Sequence, residues 1–191
     1  IDLGNGANQP FTIGDYTLIY NGEIYNYIEI RNYLKKKGIK FKTKSDSEVL
    51  LRSYIHFGKD SFNKFEGMWS FAIWDNRKKE LILSRDRFGE KPLYIFKSSN
   101  GLFFGSEIKF IKSLSKVSFD LNSNQISRYL IQGYKSLHKS EETFFKRIKH
   151  FPKRSFLVIK KSLNLNFKNY WSLKYKPKKI ELEDVVSKTK E

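Results

Sequence analysis

Residues 16–20, YTLIY, are β-branched and aromatic, a run of buried-strand character that gives way at once to the polar Asn21-Gly22-Glu23. The period then changes. Asn26 stands as an N-cap with Glu29 three positions on, Ile30 and Leu34 repeat at helical spacing, and Lys35 to Lys37 precede Gly38, so a helix is expected here. A second helix is expected from the capping box Ser45-Asp46-Ser47-Glu48, through Val49, Leu50, Tyr54 and Phe57, to Gly58.

From Gly67 onward the pattern turns to strands. GMWSFAIWD and ELILSRD are joined by the polar turn Asp75-Asn76-Arg77-Lys78 and predict a hairpin. PLYIF and LFFGS flank Ser98-Ser99-Asn100-Gly101, whose Asn-Gly pair favours turns that match strand twist, and predict another. A third is expected around FLVIKKSLNLNF, a helix over Asn124 to Tyr134, and a polar linker from Pro177 into a further helix at IELEDVV. Trp69, Phe71 and Trp74 are read as core at strand spacing. Two early helices and several antiparallel hairpins define an α+β protein with its helices outside face-to-face sheets.

Composition narrows the function classes. At 191 residues and 39% hydrophobic, the chain suits one domain or slightly more. A net charge of +17 raises nucleic acid as a partner, yet only eight of the 37 basic residues are Arg and the lysines are scattered from Lys35 to Lys190. No specific nucleic-acid binding is therefore expected. Cysteine is absent, and His56, His138 and His150 form no ligand-spaced cluster, so disulfides and thiolate metal sites are excluded and no metal site is assigned. The histidines are read as surface or capping residues. Without a run of about 20 apolar residues or a signal peptide, no membrane partner is expected and a cytoplasmic location is. Ile1-Asp2-Leu3 is already strand-like and the one methionine is Met68, so the natural start is expected upstream.

Seven blocks then fall in order: Gln9-Pro10, YNGEIYNY (20–27), SDSEV (45–49), GMWSFAIWD (67–75), RDRFGEKPLYIF (85–96), FGSEIKFI (104–111) and Tyr170-Trp171. Together they resemble the class II glutamine amidotransferase domain of glutamine-hydrolysing asparagine synthetases. The resemblance implies the N-terminal nucleophile hydrolase fold, a four-layer αββα sandwich of two antiparallel sheets between helices. It implies residues 1–175 as the amidotransferase domain lacking its opening hairpin, and 176–191 as a linker and the start of a synthetase domain.

In such proteins an N-terminal cysteine attacks the side-chain amide of glutamine, and the ammonia released travels to the second domain. That domain uses ATP and Mg to activate aspartate. L-glutamine and the chain's own C-terminal synthetase domain are thus the implied partners, and a homodimer is also admitted. Carried over residue by residue, Asn21 and Gly22 supply the oxyanion hole, Glu23 completes the substrate triplet, and Asp46 binds the α-amino group of glutamine. Read without the resemblance, Asn21-Gly22 is an ordinary turn and Asp46 compensates the helix dipole. Arg85-Asp86 and Phe88-Gly89 through Pro92-Leu93 are read as architecture, and Glu107 with Lys109 as a charge pair on a strand-to-helix turn.

The sequence also departs from the pattern. The nucleophilic cysteine and the carboxylate-gripping arginine are not found, so the 191-residue chain alone is expected to be inactive. Pro152-Lys153-Arg154-Ser155 replaces the usual Pro-Pro-Gly-His. Two alternatives stay open: a binding or scaffold module without a nucleophile, and an amidotransferase acting on another carboxylate, such as a sugar acid.

Overall fold

Alternation along the strands decides how the layers stack. In β3 (Gly67–Asp75), Trp69, Phe71 and Ile73 join one core while Ala72 joins another; in β4 (Glu80–Arg85), Ile82 faces the first core and Leu81 and Leu83 the second. β8 (Ser155–Ile159) repeats the division, with Phe156 and Val158 on one side and Leu157 and Ile159 on the other. Both faces are therefore buried, as a sheet between two layers requires. The computed structural model describes residues 8–134, 137, 139–177 and 180–190; Ile1-Asp2-Leu3 and His138 lie outside them.

The larger sheet runs in the order β1 (Phe11–Ile13), β2 (Tyr16–Ile24), β3, β4, β8, β9 (Lys168–Asn169), with every neighbouring pair antiparallel. The smaller sheet places β5 (Tyr94–Ser98) between β6 (Gly101–Gly105) and β7 (Lys149–His150). Ile95 of β5 packs towards the larger sheet, whereas Tyr94 and Phe96 pack with Phe103 of β6, Ile148 and Ile111 of α3 (Ile108–Ser115). On the opposite outer side, Ile30 and Leu34 of α1 (Tyr27–Lys36) and Val49, Leu50 and Leu51 of α2 (Asp46–Phe57) seal the larger sheet. Three cores thus separate four layers in the order helix, sheet, sheet, helix, which is the expected sandwich. α4 (Ser123–Gln132) and α5 (Leu182–Lys190) complete the described α-helices, and a 3-10 helix, Gly58–Lys64, follows α2.

Several local expectations are corrected. Asn21-Gly22-Glu23 is not a turn: β2 continues through it, paired with Ser70, Trp69 and Met68 of β3. Asn26 precedes α1 without capping it; its amide instead donates to the Lys64 carbonyl (2.9 Å) and accepts from the Glu66 N–H (3.0 Å), pinning the entry to β3. Ser45 does cap α2 through the Ser47 N–H at 2.9 Å, but Glu48 reaches back to the N–H groups of Lys42 and Thr43 and to Arg52, not to Ser45. Trp74 sits out of phase with Trp69 and Phe71 and is 38% exposed, so it is not core. The β5–β6 turn centres on Ser99-Asn100, and Gly101 rather than the pair's Asn takes a positive φ, of 147°. The third hairpin is β8 with a short β9, farther along than the apolar run suggested.

The Arg85–Lys91 segment is architecture, as read. The Asp86 carboxylate, fully buried, accepts the N–H groups of Phe88, Gly89, Glu90, Lys91 and Trp69. The Arg85 guanidinium donates to the carbonyls of Lys91, Phe151 and Gly89 at 2.7–2.9 Å. Beside it, Arg154 adopts φ 54° where the resembled motif carries glycine, a conformation that costs a non-glycine residue about 1 kcal/mol or more. Its N–H donates to the Asp86 carbonyl (2.7 Å) and its carbonyl accepts the Tyr170 N–H (3.1 Å), two bonds that hold this conformation in place.

Candidate functional site at the edge of strand β2

The side chain of Gln9 takes the place of a neighbouring strand along β2. Its Oε1 accepts the Tyr20 N–H at 2.6 Å and its Nε2 donates to the Tyr20 carbonyl at 2.7 Å. Backbone groups two residues apart in a strand point the same way, so those of Gly22 and Ile24 face this edge too. The Ile24 N–H is taken by Asp46 Oδ2 at 3.1 Å. Gly22 lies between two satisfied positions, and among the described residues its N–H has no partner. Its opposite number on β3 agrees with this geometry. Trp69 turns its N–H (3.3 Å to Asp86 Oδ2) and its carbonyl (2.9 Å from the Asp86 N–H) away from β2.

Only glycine fits this position. Its φ is 157°, and a Cβ would stand 2.7 Å from Trp69 Cα and 2.9 Å from the Tyr20 ring, besides colliding with the Met68 carbonyl oxygen.

Asp46 reaches the same edge from the first turn of α2. Tyr20 donates its hydroxyl to Oδ2 at 2.8 Å, so both hydrogen bonds fall on one oxygen, and Oδ1 has none among the described residues. Burial, with the Asp46 charge next, pushes the Tyr20 hydroxyl well above its ordinary pKa, which keeps it a donor at any physiological pH. Behind Asp46, the Glu48 carboxyl is 1% exposed. Burial alone would raise its pKa, but the Lys42 N–H, Arg52 and the Thr43 groups outweigh it and hold it below the usual range. Glu48 and Arg52 lie 2.7 Å apart.

The structure does not gather the four expected residues on one face. Asn21 is exposed on the side of the smaller sheet and its amide donates a long 3.4 Å bond to Ser106 Oγ. There it walls a cleft of about 240 Å³ with Ile19, Phe71, Leu93, Phe104 and Ser106. Asp46 belongs to the helical side, and Glu23 is exposed opposite Met68. No hydrogen bond joins Asp46 to Asn21, Gly22 or Glu23 among the described residues. What unites the set is the edge of β2, with the two side chains on opposite faces of it. Gln9, Tyr20 and Ser106 complete the surroundings without having been singled out for a role. Tyr20 was findable, since it shares the phase of Leu18 and Ile24, and so must face the helix that carries Asp46.

A second polar group surrounds a small cavity of about 50 Å³ near Arg85, Glu141, His150 and Lys153. Burial raises the Glu141 carboxyl, against the pull of Arg85 and Lys153. With every Arg85 nitrogen already given to a carbonyl, this group serves the loop. His56 is exposed in the last turn of α2, and His150 packs its ring 4.8 Å from Tyr94. Glu107 and Lys109 form the expected ion pair at 2.7 Å. No cluster of three or more metal-ligating residues occurs among the described residues, and none of their helices is long and apolar enough to cross a membrane.

The fold and the family patterns agree on a class. The glutamine amidotransferase domain model matches residues 1–171, and the chain belongs to that family. Among curated proteins it is 36% identical over 195 residues to glutamine-hydrolysing asparagine synthetase 1 of Bacillus subtilis, covering 100% of this chain and 30% of that protein. It is 37% identical over 178 residues to asparagine synthetase 2 of the same organism, covering 91% of this chain and 23% of that one. The chain thus spans under a third of the length of these relatives. The glutamine phosphoribosylpyrophosphate amidotransferase of B. subtilis superposes with a TM-score of 0.63 at 19% identity, over 88% of this chain and 33% of the other, and supports the fold.

Proposed function

We propose that this chain is the glutamine-hydrolysing part of an asparagine synthetase, releasing ammonia for the ATP-dependent amidation of aspartate elsewhere in the same polypeptide. The observation that carries the reading is the Gly22 N–H, without a partner among the described residues and bracketed at the β2 edge by Gln9-held Tyr20 and Asp46-held Ile24. In this reading a thiolate from outside the cysteine-free 191 residues adds to the substrate's amide carbon, and the oxygen that gains charge is met by the Gly22 N–H. The Asn21 amide, held among the described residues by a long bond to Ser106, is placed to join it. Asp46 Oδ1 receives the substrate's α-ammonium, Glu23 completes the substrate triplet, and ATP and Mg belong to the second domain.

The test compares two variants of the full-length protein. Asn21→Ala should lower kcat for glutamine by about a hundredfold with little change in KM, because its donor matters most as charge develops. Asp46→Asn should chiefly raise KM. Ammonia-dependent synthesis, which bypasses the amide, should survive both. Loss of the ammonia-dependent reaction in a folded variant would remove that residue from the glutamine site.

A further inference from the structure

Tyr20 is tied at both ends. Its backbone is clamped by the Gln9 carboxamide, its hydroxyl donates to Asp46 Oδ2 at 2.8 Å, and the Cε2 edge of its ring lies where a Cβ on Gly22 would fall. One rigid aromatic side chain therefore spans the two places on which the glutamine site is read: the backbone donor and the carboxylate.

We infer that Tyr20 is a positioning residue that fixes the Asp46 carboxylate, loading Oδ2 with two donors so that Oδ1 is presented to the ammonium group of an α-amino acid amide. This rests on the reading of Asp46 given above. The chemical logic is local. A carboxylate at the start of a helix turns freely about its Cβ–Cγ bond unless one oxygen is fixed. The Ile24 N–H alone, at 3.1 Å, is a single contact, and the shorter Tyr20 bond supplies the second direction that sets the carboxylate plane. Ring and hydroxyl are half-buried, so water does not substitute for this donor without entering the β2–α2 seam. The residue acts through Asp46, and specificity for a substrate carrying an α-ammonium follows from it.

The experiment is a double-mutant cycle in the full-length protein. Tyr20→Phe keeps the ring and removes one oxygen; KM for glutamine should rise about tenfold, with kcat within twofold and ammonia-dependent synthesis unchanged. In an Asp46→Asn background, Tyr20→Phe should add no further increase, because the group through which it acts has already lost its charge. The preference for glutamine over its analogue lacking the α-amino group should shrink in parallel. An unchanged KM in Tyr20→Phe, or an equal rise in both backgrounds, would overturn the inference while leaving the Asp46 reading intact. An unchanged KM in Asp46→Asn itself would overturn both. Loss of folding in Tyr20→Phe, seen as collapse of the thermal transition, would make the hydroxyl structural and also overturn it.

Discussion

Two aspartates, Asp86 and Asp46, stand just past a strand and at the start of a helix, and each turns a carboxylate onto backbone N–H groups. Asp86 is fully buried and collects five of them, shared between both oxygens. Asp46 is half-buried and among the described residues collects one N–H and one hydroxyl, both on Oδ2. A carboxylate whose acceptor positions are all filled has nothing left for a ligand, and its charge is spent on holding a loop. One that keeps an oxygen unengaged at a surface retains the capacity to bind a cation. Hydrogen-bond saturation separates the scaffold at Asp86 from the candidate site at Asp46 where residue type and motif strength do not.

The comparison breaks first at Asp86. Asp86→Ala leaves the buried Trp69 N–H and four part-buried loop N–H groups without their acceptor and should destabilise the domain by about 3–5 kcal/mol, read as loss of a cooperative transition in denaturant. A fully folded variant would show that the loop holds itself. Glu48, another buried carboxylate, tests the same rule through pH. Its folded pKa is depressed, so its contribution is complete above the unfolded value of about 4.3 and is lost as pH falls through the lower folded value. The stability gap between wild type and Glu48→Gln should therefore be constant at neutral pH and narrow below about pH 4. A gap that widened on acidification would contradict the sign.

Asp46→Asn sharpens the contrast from the other side. An amide oxygen still accepts from Tyr20 and Ile24, so the stability change should stay within about 1 kcal/mol, the size of a helix-terminus charge effect. A loss as large as that of Asp86→Ala would erase the distinction. Smallest of all is the exposed Glu107–Lys109 pair, where Glu107→Gln should shift stability by no more than about 0.5 kcal/mol in low salt.

The sequence carried the layers well because alternation is a local signal: Trp69, Phe71 and Ile73 against Ala72, or Tyr94 and Phe96 against Ile95, can be counted off without a partner. Helix starts at Asn26 and Ser45 were legible for the same reason. What those side chains bond was not. Asn26 holds Lys64 and Glu66 from some 40 positions away, and Glu48 reaches outside its own helix. Strand ends were misjudged where polar residues continue a ladder, as in Asn21 to Glu23, since pairing with β3 overrides composition there. At the candidate site, the motifs proposed residues but not their sides. That Asn21 and Asp46 flank β2 from opposite faces, with Gln9 standing in for a strand, depends on contacts no short window contains.

One feature of the chain's course has a modular consequence. β4 and β8 are neighbours in the larger sheet, and the stretch between them, residues 87–153, is an excursion that builds the entire smaller sheet together with α3 and α4. Its two ends are fastened together by the 2.7 Å bond from the Arg154 N–H to the Asp86 carbonyl. Such a closed excursion behaves as a cassette: the entropy of closing it changes by only about 0.6 kcal/mol for each doubling of length, so its internal loops can lengthen, shorten or drift at little expense to the frame that receives it. Ser106 and Phe104, which face Asn21 across the cleft, ride on the cassette, while Gly22, Tyr20 and Asp46 do not. The wall opposite the β2 edge can therefore be rebuilt, by divergence or by design, without disturbing the donors on the edge itself.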